Sequence, residues 1–198
     1  MEDYQHEPVS EKELPALAAE VLADYESFRA SATVLVRTTG QLNPILRRVF
    51  VESLNLHARN LTDFFGREPR RDDVAATHFA SDWNVEADAH TDVIWLRTAV
   101  LPGVHKRLAH LTAYRTRVAA DWDAQPVIEI AGAVSSLMPR FLAVLPPARR
   151  ALFERDGQSP DLQWCFRDLL GLEDASGALD ALLGIRRRWQ EPADGALA

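Results

Sequence analysis

The chain has 198 residues, of which 47% are hydrophobic and 26% charged, with a formal net charge of −7. That length and balance suit one globular domain with enough sequence to bury a core, and the acidic excess weighs against broad, non-specific nucleic-acid binding. The longest apolar runs are shorter than the roughly 20 residues of a membrane span, and the single cysteine, Cys165, excludes an internal disulfide and a cysteine-based zinc site.

The N-terminus, MEDYQHEPVSEKE, is acidic and polar, unlike a signal peptide, so a cytoplasmic location and no membrane association are expected. Only Lys12 and Lys106 are lysines; the other basic residues are all arginine. With abundant alanine, that bias reads as a GC-rich bacterial genome rather than as phosphate recognition. Residues 1–9 form a flexible leader. Ser10 and Glu13 make a capping-box pattern, after which Leu14, Leu17, Val21, Tyr25, Phe28, Ala32 and Leu35 sustain a helical stripe that stops near Gly40.

Asn43 and Pro44 supply a cap and a first-turn proline for a second helix, which Gly66 ends. Residues 67–91 are irregular, with a short helix around Asp72–Phe79. Helical spacing returns from Thr91 to Val118, broken near Pro102 and Gly103. A deeply buried helix opens between Asp123 and Pro126; Pro139 should kink it, and Pro146 and Pro147 should end it. Shorter helices follow at Ala148–Arg155, Asp161–Leu170 and Leu179–Gln190, and Trp164 beside Cys165 reads as core packing. The whole describes an all-α, antiparallel bundle of four to five main helices plus shorter C-terminal ones. Residues 10–189 form its single domain and residues 190–198 a disordered tail. Val127–Ile130 is the one β-favouring run of note.

On the second helix, Leu46, Phe50, Leu54, Leu61 and Phe64 define an apolar stripe, and His57 falls inside it with Ser53 and Asn60 beside it. Glu52, Arg59 and Asp63 lie along the flank. A polar group on a core face needs hydrogen-bond partners. His57 therefore has two readings. One is a neutral imidazole bonded to a backbone carbonyl or to an acid of another helix; the other is a base or ligand at the bottom of a cleft, using a ring that changes charge near neutral pH. Residues 104–115, VHKRLAHLTAYR, give a second constellation. Arg115 falls within the apolar stripe of Val104, Leu108, Leu111 and Val118 and needs a carboxylate, for which Asp63 or Glu52 is the natural candidate. His110 lies on a different stripe, with Arg107, Tyr114 and Arg117.

HARNLTDFF and KRLAHLTAYR, in that order, resemble the signature of a group of uncharacterised bacterial helical proteins over about residues 40–125. By position, the resemblance implies a polar set of His57, Arg59, Asn60, Asp63, Asp73, His110 and Arg115; Arg107 departs from it, standing where relatives carry a small or apolar residue. More distantly the chain is similar to HEPN-type domains, helical bundles that often dimerise and in many cases cleave RNA with an arginine, a polar residue, a spacer and a histidine. Arg71, Asp72 and His78 fit that order, so the similarity implies a homodimer and a metal-independent RNase, although the acidic charge disfavours RNA.

Paired metal-ligand motifs are absent: His105 and His110 are five apart and do not share a face. No phosphate-cradling glycine loop or nucleophile elbow is present, so neither a metal nor a cofactor is expected. The sequence favours an interaction or ligand-binding domain with a polar cluster around His57, partnered by a second copy or another protein. The alternative is the HEPN-like RNase or another hydrolase. Catalytic candidates are His57, Arg59, Asp63, His110 and Arg115, and beyond them Arg71, Asp72 and His78.

Overall fold

In the computed structural model, residues 9–38, 41–66, 73–85, 87, 90–100, 124–155, 158, 160 and 161 are described. Five α-helices occur among them: α1 (Leu14–Arg37), α2 (Pro44–Gly66), α3 (His90–Trp95), α4 (Ala124–Val144) and α5 (Pro147–Arg150). Single 3₁₀ turns occur at Ala76–His78 and Ala151–Phe153, and a π-turn at Leu96–Val100 extends α3. No strand occurs among the described residues, and the fold is all-α as the periodicity requires. His110, Arg115, Arg107, Arg71, Asp72, Trp164, the helices expected after residue 161 and the expected disordered tail lie outside the described residues.

The start of α1 follows half of the expected capping scheme. The Glu13 carboxylate accepts from the Ser10 amide at 2.8 Å, but it also accepts from the Ser10 hydroxyl at 2.6 Å, so that hydroxyl does not cap the helix and α1 begins later, at Leu14. These two bonds, the hydroxyl's first, hold the Glu13 carboxyl below its ordinary value. A depressed carboxyl contributes stability above its unfolded pKa and loses it as pH falls through the folded one, so this lock should open in acid. Ser10→Ala should move the Glu13 titration, followed by NMR, upward towards that of a free glutamate. At its other end α1 stops at Arg37, ahead of Gly40, with Thr38 bonding back to Val34.

Asn43 caps α2 as expected, its side-chain oxygen accepting from the Leu46 amide at 2.9 Å. The α1 and α2 helices run antiparallel. Ser31 bonds Ser53, and two turns further back along α1 Asp24 meets His57 and Asn60, one and two turns further along α2. The α4 helix packs on both and on α3. It carries the Val127–Ile130 run, which is helical, and it continues through Pro139; because proline has no N–H, the Ser135 carbonyl receives no amide from that position. The segment Val127–Val144, with mean hydropathy 1.5, is long and apolar enough to cross a membrane by length and composition. Glu129, Pro139 and Arg140 hide that from a search for unbroken runs, and 67% of the segment is buried inside the protein, where it serves as the core helix. Arg150, from α5, caps its end by reaching the Ala143 and Leu145 carbonyls at 3.4 Å.

The core centres on six aromatic rings. Phe141 of α4 lies edge-on to Phe64, Phe65, Phe79, Trp83 and Phe153, with centroids 5.0–6.3 Å apart through the cluster. The Trp83 indole N–H donates to the Phe65 carbonyl at 2.8 Å, satisfying one of the carbonyls left open at the end of α2.

Candidate acidic cleft beside His57

The buried side of α2 is not the one the aliphatic pattern selects. Buried residues are Leu54, Asn55, Ala58, Leu61, Thr62, Phe64, Phe65 and Gly66, whose centre lies roughly 80° around the helix from the expected stripe at about 100° per residue. Leu46 is exposed, whereas Ala58, Thr62 and Gly66, one turn apart, are inside. Small residues weigh little in a hydrophobic pattern, yet they permit close approach: a Cβ on Gly66 would stand 2.3 Å from Val93 Cγ1 of α3. His57 therefore sits at the edge of the buried face, turned towards α1.

There it meets Asp24. His57 Nδ1–H donates to Asp24 Oδ1 at 2.5 Å, with the two side chains 20% and 28% exposed. Because a carboxylate only accepts, this bond puts the proton of a neutral ring on Nδ1 and leaves Nε2 as its acceptor. The Asn60 amide donates to both oxygens of the same carboxylate, at 3.3 and 3.2 Å. Asp24 is thus a shared acceptor clamping two successive turns of α2 to α1. His57→Ala would leave that carboxylate partly buried without its closest donor. The expected loss is about 1 kcal/mol, or roughly 2–4 °C in Tm, discounted for the water that reaches the pair; thermal unfolding followed by circular dichroism measures it.

Asp24 and Asn60 also line a cleft of about 400 Å³, together with Leu17, Glu20 and Val21 of α1, Arg59, Asp63 and Phe64 of α2, and Asp73, Val74 and Ala75. Among the described residues, four carboxylates and one guanidinium line it. Arg59 and Asp63 pair along the helix at 3.8 Å. The third wall is fixed by His78, whose Nδ1 accepts the Ala75 amide at 3.1 Å and so closes the turn that follows the wall. Among the described candidates, then, His57, Arg59, Asn60, Asp63 and Asp73 converge on one region. His78 instead supports its backbone. Glu52 pairs with Arg48 on its own helix at 2.8 Å, away from the cleft.

The sequence reading missed Glu20 and Asp24. A usable signal exists: between Leu14 and Phe28, Glu20, Asp24 and Glu26 have no basic residue among them, so α1's acids must find partners elsewhere. Glu26 finds Arg155 at 2.6 Å. Also missed was buried Asp92 of α3, which accepts from Ser136 Oγ at 2.5 Å and lies 3.4 Å from Arg140 Nη1, both on α4. That cluster joins two helices. Among the described residues no group of histidine, cysteine and acidic side chains is arranged to hold a metal.

The described residues thus make an all-α fold with an acidic cleft lined by α1, α2 and the segment 73–75. No protein-family model, curated protein or solved structure matches the chain.

Proposed function

We propose that the protein is a ligand-binding domain and that its ligand is a small organic cation, bearing ammonium or guanidinium groups, held in the cleft between α1 and α2. The carrying observation is the lining: among the described residues, Glu20, Asp24, Asp63 and Asp73 stand with one arginine, Arg59, around a space of about 400 Å³. Such a volume lies within the range of small-molecule sites. At about 4 Å, near a protein surface, each carboxylate–ammonium contact is worth roughly 4 kcal/mol before desolvation is subtracted, so a multiply charged amine gains from the convergence of several. The His57–Asp24–Asn60 network supports this reading by orienting one wall carboxylate, and Leu17, Val21, Phe64 and Val74 supply apolar surface for a methylene chain.

Calorimetric titration with spermidine and agmatine at low ionic strength tests the proposal. Binding should weaken as salt is added, and the Glu20→Gln/Asp73→Asn double variant should raise Kd at least tenfold with the Tm little changed. No binding tighter than about 1 mM by either amine would reject it.

The RNase alternative rests on Arg71, Asp72 and His78. Of these only His78 is described, and its Nδ1 is engaged by a backbone amide. RNA degradation by the pure protein that disappears in His78→Ala, with the fold intact, would favour that alternative instead.

A further inference from the structure

Ile45, Val49 and Leu56 of α2 lie within about 40° of one another around the helix, on the side facing away from buried Leu54, Ala58, Leu61 and Phe65. They are 76%, 53% and 50% exposed, and Leu46 beside them is also exposed. Single apolar residues on a surface need no explanation, but three large aliphatics in register over three turns do.

We propose that this face docks a second copy of the chain, the two α2 helices packing antiparallel about a two-fold axis near residue 50. A two-fold contact needs a patch that complements itself when reversed. Reversal about residue 50 sets Ile45 against the partner's Leu56 and leaves Val49 facing its own copy near the axis. It also brings Arg48 against the partner's Glu52. Those two residues pair within one helix at 2.8 Å and remain largely exposed, so doubling them antiparallel yields four alternating charges. In a parallel dimer the two-fold axis runs along the helices and would place Arg48 and the partner's Glu52 on opposite flanks, so the charge pair favours the antiparallel arrangement. The stripe covers 11 residues of rise, roughly 16 Å, small against the roughly 800 Å² per partner of a standard interface, so the dimer is weak and concentration-dependent. This inference is independent of what occupies the cleft.

Sedimentation velocity of the full chain from about 5 to 500 µM tests it. The expected result is a shift from 22.1 kDa towards twice that mass as concentration rises. Val49→Arg should raise the dimer Kd at least tenfold without lowering the Tm, since Val49 is exposed; Ile45→Arg provides the same reading should Val49→Arg misfold. Arg48→Glu should weaken the dimer several-fold and Arg48→Glu/Glu52→Arg should restore it. A 22.1 kDa particle at every concentration, or a dimer as tight in Val49→Arg and Ile45→Arg as in the parent, overturns the proposal. Failure of the double charge swap to recover the dimer overturns its antiparallel register.

Discussion

Phe141→Ala is expected to cost about 3–5 kcal/mol, the range for deleting a buried phenylalanine ring, or roughly 6–20 °C in Tm for a chain of this size. Phe141 is fully buried and meets Phe64, Phe65, Phe79, Trp83 and Phe153, which belong to α2, the segment after it and the 3₁₀ turn past α5. Rings fixed from so many directions cannot collapse together into the space left behind, so the loss should fall in the upper part of the range. Phe141→Leu retains most of the volume and should cost less than about half as much. Urea unfolding of both variants measures the difference; equal midpoints for Phe141→Ala and the parent would show that the aromatic cluster does not hold the core.

Gly66→Ala is expected to destabilise by about 1–3 kcal/mol, as overpacking does. Two effects oppose each other here. Alanine is the better helix former, by up to about 1 kcal/mol in a helix interior, but Gly66 is the last residue of α2, where that gain is smaller. The added Cβ would stand 2.3 Å from Val93 Cγ1 and 3.1 Å from Cγ2. Valine's branched carbon leaves it few rotamers with which to retreat, and Val93 is itself buried, so α3 must shift bodily. The clash wins. Val93→Ala placed on the Gly66→Ala background should recover part of the loss, and a thermodynamic cycle of the four proteins should show coupling above about 0.5 kcal/mol. Additivity would mean that the two positions do not touch.

Much of the architecture was legible because long helices announce themselves. The α1 stripe from Leu14 to Leu35, the Asn43–Pro44 start of α2 and the apolar α4 all follow from spacing and caps. What failed was the rotation of α2. Counting large aliphatics placed Leu46 inside and His57 at the centre, while Ala58, Thr62 and Gly66 decided the packing through their small size. The polar side of the site was half legible: helical spacing puts His57, Asn60 and Asp63 on neighbouring stripes of α2, whereas Asp73 was named only by position in the resemblance. Asp24, which receives His57 and Asn60, belongs to another helix, and no periodicity within α2 names it.

The antiparallel pairing of α1 with α2 has a kinetic consequence. These helices are consecutive, joined by a connection of a few residues, and they share the most extensive interface of the described helices. Closing a short loop is fast and costs little entropy, so this hairpin should assemble early. Docking of Phe141 between Phe64 and Phe153 spans a far longer stretch of chain and should come late. Substitutions at Phe141 should therefore act chiefly by accelerating unfolding, with refolding rates nearly unchanged, whereas lesions between α1 and α2 should slow refolding.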